Sequence, residues 1–408
     1  MNGRGEIKVP NRREAYLRHS SHYSIILRTA RDLFLRSGNS INEGLDLINI
    51  DWANIQTSHV WTEMHKLDDP EVARLCSSYP INGTYLLDLR LAPKDRVSWL
   101  ESALAAARYL NDQEAIGVHL GNLGLVCVDL AEYQKAIEYY MQVADFFRMN
   151  GDRRNWAAVL TNLGLVFADL AETQRAISYY EEALLIYREI GDLRSEAATI
   201  GNLGLAYYDL GNPQKAIEFY EHQLKIAQDI GDLRSIASSL GNLGNGYRVI
   251  GDPNRAISLH EQQLLILKQL GARRNEGIAL SNLGAAYAAL GKFQKAIKYY
   301  EERLEIALEL GDHKGEGATL NNIGLAFADL GDHQRALELY KKSLKIKQEI
   351  GDRRGEGNTL WNMSLSLYKL SNQPQAIAYA EDALDVYEQI GDHLSVEKIR
   401  REIIKRQG

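Results

Sequence analysis

Two cysteines in 408 residues, Cys76 and Cys127, are too few for a disulfide framework or a cysteine zinc site, which fits a reducing compartment. Proline is also scarce, with seven in the chain, so little interrupts helix. No apolar run reaches the roughly 18 residues that a membrane-spanning helix needs. The opening Met1-Asn2-Gly3-Arg4 leads into polar sequence rather than a secretion signal, and the expectation is a cytoplasmic protein. An excess of positive charge is missing too. A formal net charge of −7 leaves no global basic surface, so neither nucleic acid nor an anionic membrane is expected as a partner.

The signatures of chemistry are likewise lacking. The nearest approach to a phosphate-binding loop, Gly291-Lys292, is followed by Phe293 and has Ala286 where the first glycine should stand. The histidines are scattered, without a zinc-protease motif or a nucleophile elbow. His19 and His22 lie one turn apart, but no third ligand stands nearby, so no metal or other cofactor is assigned. The glycines of 241–246 sit inside a helical pattern with no preceding strand, unlike a dinucleotide fingerprint. With no nucleophile, base and orienting group to assemble, an enzyme is not expected.

What the chain has is a repeat. Asn122, Asn162, Asn202, Asn242, Asn282, Asn322 and Asn362 recur at a constant spacing of 40 residues, most of them in the phrase Asn-Leu-Gly. A period of that length means stacked supersecondary units. In the unit 192–231, Asp192 can cap a first helix (A) that runs to about Leu210, and Gly211 supplies the left-handed residue that ends it. Asn212 caps a second helix (B), with Pro213 at its first position, and Gly231 closes it. Ile200, Leu203, Tyr207 and Leu210 are expected in the core from helix A, and Ala216, Ile217, Tyr220, Leu224 and Ile230 from helix B. Gly204 lets the two helices approach closely. One such hairpin cannot cover its own apolar faces, so stacking on neighbours has to complete the core.

Leu203, Gly204, Tyr207, Ala216 and Tyr220 fall where tetratricopeptide repeats carry their signature, and the chain resembles that family over about 117–391. The 40-residue length and the Gly-Asp…Gly-Asn-Leu-Gly phrasing are similar to the LGN/Pins polarity adaptors, the kinesin light chains and the repeat arms of bacterial STAND-type signalling ATPases, with the ATPase itself absent. The resemblance implies an all-α fold, a right-handed α-solenoid of helical hairpins. Residues 1–80 are expected to form a helical region outside the repeat, in which 18–61 resembles the linker helices of the STAND proteins. Residues 81–116 read as a degenerate capping repeat in which Gly83 and Arg96 replace a core Leu and Ala. Seven repeats then span 117–391, and 392–408 forms a capping helix with Val396, Ile399 and Ile403 inward.

Helix A carries a second stripe that the core does not need: Arg194, Ala198, Asn202, Leu205 and Asp209 in one unit. Along the array it becomes three ladders. The basic one is Arg154, Arg194, Arg234, Arg274, Lys314 and Arg354; the second is the asparagines; the acidic one, Asp129, Asp169, Asp209 and Asp329, gives way to Val249, Ala289 and Lys369. Small residues beside it, Gly121, Thr161, Gly201, Gly241 and Ser281, would admit a ligand backbone. An amide both donates and accepts, which suits an extended peptide, and the resembled adaptors use this position on their inner face. The alternative is structural: asparagine bonded to a neighbouring repeat, arginine capping a preceding helix. Tyr208, Asn245, Arg248, Trp361 and Tyr368 break the regular pattern and are candidate specificity residues. The expected function is a scaffold or adaptor holding a protein or peptide in a concave groove. The alternative is a sensor arm controlling a separate ATPase or protease, and self-association through the solenoid ends stays open.

Overall fold

The computed structural model describes residues 11–36 and 40–407, so the first residues of the chain lie outside it. Among the described residues the chain is helical, with no strand, and it divides into two compact units, Met1–Gly191 and Asp192–Gly408.

The first unit begins with two long helices packed along each other, α1 (Arg12–Phe34) and α2 (Ser40–Met64). After them come α3 (Pro70–Asn82), the short α4 (Leu86–Arg90) and α5 (Pro93–Tyr109), then α6 (Gln113–Asp129), α7 (Tyr133–Met149), α8 (Arg153–Asp169) and α9 (Thr173–Ile190). Leu27, Ile48, Ile55, Tyr79 and Trp99 bury one core where α1, α2, α3 and α5 meet. Inside it the His59 ring stacks on Trp99 with centroids 3.6 Å apart, and burial pushes the imidazole down to about 3, so it stays neutral. Both departures from the repeat pattern have a physical reason here. A Cβ on Gly83 would stand 2.6 Å from Leu87 Cγ, so the glycine makes room for α4, which follows α3 within the same 40-residue register. Arg96 reaches Asp88 at 2.6 Å and Asp129 at 2.8 Å instead of filling a core site.

The second unit holds five helical hairpins and a last helix. They are α10 (Leu193–Asp209), α11 (Pro213–Asp229), α12 (Leu233–Val249), α13 (Pro253–Gln269), α14 (Arg273–Ala289), α15 (Phe293–Leu310), α16 (His313–Asp329), α17 (His333–Glu349), α18 (Arg353–Lys369), α19 (Gln373–Gln389) and α20 (His393–Gln407). Asp192 caps α10 by accepting from Ser195 N at 3.2 Å, and Asn212 caps α11 by accepting from Lys215 N at 3.1 Å. Gly211 and Gly231 end the two helices at φ +74° and +67°, the left-handed region open to glycine. One apolar cluster runs from Tyr220 through Tyr247, Leu283 and Tyr300 to Ile323, so neighbouring hairpins share their core. Val396 and Ile399 of α20 are buried against Leu360 and Tyr387.

Two core expectations fail for one reason. Leu210 is 49% exposed and Ile230 only partly buried, because α10 and α11 stop one residue earlier and these side chains sit on the turns. Helix B instead buries Gln223, Ile226 and Ala227.

Tyrosines placed against helix A set the response to alkali. Burial raises the phenols of Tyr140, Tyr180, Tyr220 and Tyr340 above their ordinary value, and pushes Tyr300 up to about 12. A raised folded value means that the unfolded chain ionises first, from about pH 10 upward. The stabilisation is therefore complete below that pH and is lost above it, by about 1.4 kcal/mol per pH unit for each such tyrosine. Thermal melts followed from pH 8 to 11 should show a steep fall beginning near pH 10, with a further rise in phenolate absorbance as helix is lost.

Candidate functional site

Helix A presents its second stripe to solvent because the first stripe is consumed by the core. In α10, Leu203 and Gly204 are buried, Asn202 is half-buried beside them, and Arg194, Ala198, Leu205 and Asp209 are exposed. Within the second unit, α10 touches α12, α12 touches α14, and α16 touches α18, whereas successive B helices do not meet to the same extent. The A helices are therefore the crowded, inner row of this unit.

The ladders differ in how far the protein itself satisfies them. Asn362 donates from Nδ2 to Asn321 Oδ1 at 3.1 Å, an inter-repeat bond of the structural kind. For Asn122, Asn162, Asn202, Asn242, Asn282 and Asn322 no hydrogen bond of the side chain occurs among the described residues. Arg194 and Arg354 reach forward, to the capping aspartate of the next repeat, rather than back to a preceding helix. Arg194 Nε stands 3.4 Å from Asp232 Oδ2, and an Arg354 guanidinium nitrogen 3.2 Å from Asp392 Oδ2. Such pairing offsets the cost of a cation near a helix N-terminus, about 0.3–1 kcal/mol. Asp232 gains from it as well: the N–H groups of Ser235 and Arg234 and the charge of Arg194 outweigh burial and hold its carboxyl below the usual range.

A cavity of about 690 Å³ opens between α12 and α14 and brings together Arg234, Arg274, Asn242, Asn245 and Asn282 from the expected set. A smaller hollow of about 270 Å³ gathers Asn362, Tyr368 and Lys369 with Asp329 and His333. In the first unit, a hollow of about 370 Å³ holds Asn122 and Asp129 beside Arg96 and Trp99. The other candidates have different surroundings. Tyr208 packs half-buried on the shared core. Arg248 keeps its Nε buried, and its charge acts on His260, whose pKa burial already lowers. Trp361 packs on the cluster around Leu360 and Tyr387.

The small residues of the stripe do not all leave space for a ligand. A Cβ on Gly241 would stand 2.3 Å from Gln263 Nε2, and one on Gly201 2.5 Å from Gln223 Nε2, so amides of helix B fill those openings; beside Gly121 nothing lies within 4 Å. These floor residues, with the buried Arg303 and Lys347, escaped the sequence reading. Polar residues in the apolar register of helix B were the available signal. Elsewhere His19 Nδ1 meets Ser58 Oγ at 2.8 Å, while the His22 ring stands edge-on to Tyr23. Among the described residues no helix is long and apolar enough to cross a membrane.

Comparison with known proteins places these hairpins. The Tetratricopeptide repeat model matches residues 156–229, 235–309 and 315–389, and a second model of that repeat matches 120–146. No curated protein matches the chain. Among solved structures, the signal transduction ATPase with numerous domains (STAND) from Pyrococcus horikoshii, which carries a tetratricopeptide repeat sensor, is similar at 15% identity and TM-score 0.57. That likeness covers 97% of this chain and 64% of that one, so this chain spans less than two thirds of it. Aspartyl phosphate phosphatase F from Bacillus subtilis is similar at 14% identity over 95% of this chain and 96% of that one, TM-score 0.57. A Rap protein complexed with Competence and Sporulation Factor is similar at 15% identity over 91% and 99%, TM-score 0.52. At these identities the likeness is one of fold.

Proposed function

The chain belongs to the tetratricopeptide-repeat family, and on that premise we propose that its second unit holds an extended segment of a partner protein against the A helices. The observation that carries this reading is the cavity lined by Asn242, Asn282, Arg234 and Arg274, whose amide and guanidinium groups have no hydrogen bond or ion pair among the described residues. Half-buried amides at a constant spacing can donate to and accept from a peptide backbone, each bond contributing about 0.5–1.5 kcal/mol net. A few such bonds are small beside the roughly 4–15 kcal/mol that association costs, so side-chain anchors have to supply the rest. Asn245, Tyr208, Tyr368, Arg248 and Trp361 remain the candidates for that part. The Rap protein solved with Competence and Sporulation Factor shares this fold, which supports a ligand-holding role for it. No catalytic role is assigned to the chain.

The test is a comparison of wild type with the triple variant Asn202→Ala, Asn242→Ala, Asn282→Ala in capture of partners from a lysate, followed by titration of whatever the wild type alone retains. Helical circular dichroism should be unchanged and affinity should fall at least about tenfold, or 1.4 kcal/mol. Unfolding of the variant would make the ladder structural, and unchanged affinity would remove the groove from consideration. A second reading has its own support, since the STAND likeness extends over 97% of this chain, including the helices ahead of the repeats. Under it the same face receives a signal and the chain regulates an ATPase supplied by another polypeptide. Stimulation or repression of a co-purifying ATPase by the wild type, absent with the triple variant, would select it.

A further inference from the structure

One junction of the second unit lacks a group that its neighbours have. Asp192, Asp232, Asp312, Asp352 and Asp392 each stand at the N-cap of an A helix, and each accepts from a backbone N–H of the first turn, that of Ser195, Ser235, Gly315, Gly355 and Ser395 respectively. At α14 the N-cap is Ala272, and no side chain caps the helix. Two consequences follow. The N–H of Asn275, counterpart of those donors, has no side-chain acceptor among the described residues. Arg234, which stands where Arg194 and Arg354 stand in their repeats, has no carboxylate partner there either.

The cavity of about 690 Å³ opens at this gap, and the residues lining it include Arg234, Arg273 and Arg274 but no acidic residue. Arg273 is held by Glu309 at 2.7 Å and Glu276 at 2.9 Å, and the charge of Arg274 acts on the Asp312 carboxylate, which leaves the charge of Arg234 to the cavity. A further group points to a ligand. Gln263 is 8% exposed and lines the cavity; its Oε1 meets His260 Nδ1 at 3.1 Å, and its Nε2 stands over Gly241 with no partner among the described residues. Turning the amide over would leave its other polar atom in the same position. An amide N–H left open at the edge of a cationic hollow is a donor that an acidic oxygen seated there can use.

We infer that this cavity takes a carboxylate, which occupies the place of the missing N-cap aspartate between the first turn of α14 and the Arg234 guanidinium. Resting on the groove reading above, the inference makes the bound segment acidic, with an Asp or Glu side chain seated at the α12–α14 junction. The uncapped helix end favours the negative charge, and the Arg234 guanidinium offers paired donors. Asn242 and Asn282, on either side, are placed to hold the backbone that carries the acid.

Ala272→Asp tests it directly, because the variant supplies the carboxylate from the protein itself. Fluorescein-labelled hexaglutamate and hexaglutamine peptides are titrated by anisotropy into wild type, Ala272→Asp and Arg234→Gln. Wild type should prefer hexaglutamate by at least about tenfold at low salt. Ala272→Asp should lose that preference while melting at a higher temperature, and Arg234→Gln should lose it without the gain in melting. Unlabelled succinate separates the sources of the carboxylate: competition at the peptide's own concentration assigns the site to a free dicarboxylic acid, and competition only at far higher concentration assigns it to a peptide side chain. Hexaglutamate binding equally to wild type and Ala272→Asp, or not at all to wild type, would overturn the inference. That outcome leaves the asparagine groove standing if the triple variant still loses its partner, so the two failures are distinguishable.

Discussion

Gly204→Leu is expected to destabilise the second unit by about 3 kcal/mol, at the upper end of what overpacking a core costs. The reason is a contact that no side chain can share. A Cβ on Gly204 would stand 2.4 Å from Cε1 and 2.7 Å from Cδ1 of Tyr220, whose ring is fully buried and cannot swing away. Gly204→Ala should already cost about 1 kcal/mol or more, although alanine is the better helix former. Gly121 supplies the opposite case. It also lies inside an A helix, but nothing stands within 4 Å of its Cβ position, so Gly121→Ala should stabilise the chain by up to about 1 kcal/mol. Pairing Gly204→Leu with Tyr220→Ala should recover part of the loss, because volume added on one helix is removed from the other. Urea unfolding of the four variants checks the set, and a Gly204→Leu midpoint equal to that of wild type would mean that the A–B contact yields more easily than its geometry implies.

The same contact explains why so much of this fold is legible in the sequence. A glycine under a tyrosine, an aspartate before helix A and a left-handed glycine after it are local requirements, and they recur at the repeat period wherever the hairpin recurs. The core stripe follows from helical periodicity alone, down to Ile200, Leu203 and Tyr220. Periodicity stops being informative at the helix ends, which is why Leu210 and Ile230 read as core although they sit on turns. It is also silent on what a helix B residue meets. Gln223, Gln263 and Arg303 hold one register position in successive repeats, with Val143 and Ala183 in that position before them. A polar residue there looks like a surface residue until the small residues of helix A are seen above it. The ladders were visible as spacing, but whether each rung was satisfied depended on distances between repeats. Arg194 and Arg234 are indistinguishable in sequence until the residue 38 positions onward is compared, Asp232 in one case and Ala272 in the other.

That buried row contains the pair with the largest expected energetic effect. The Arg303 side chain is 7% exposed, and its guanidinium meets Asp312 Oδ2 at 2.5 Å. Another of its nitrogens, Nη1, is buried with no partner among the described residues. Asp312 is also the N-cap of α16, accepting from Gly315 N at 2.9 Å. Removing its carboxylate therefore leaves a buried cation without its counter-charge and a helix without its cap. Asp312→Ala is expected to cost about 3–5 kcal/mol, the range for breaking a buried pair from one side. Asp312→Asn can keep the cap and lose only the charge, so it should cost less. Arg303→Met with Asp312→Ser should return to within about 1 kcal/mol of wild type, because methionine fills the space of the arginine stem, serine caps the helix, and no charge remains to be compensated. Acid should mimic the single variants. The Gly315 N–H and then Arg303 hold the Asp312 carboxyl below its usual range. A depressed folded value gives stability that is present above the ordinary carboxylate pKa of about 3.9 and lost as the pH falls below it. Wild type should accordingly lose stability between about pH 4 and pH 2 more steeply than the Arg303→Met, Asp312→Ser double variant. Equal melting of wild type, Asp312→Ala and Asp312→Asn at neutral pH would show that water reaches Arg303 and that the pair is not buried in solution.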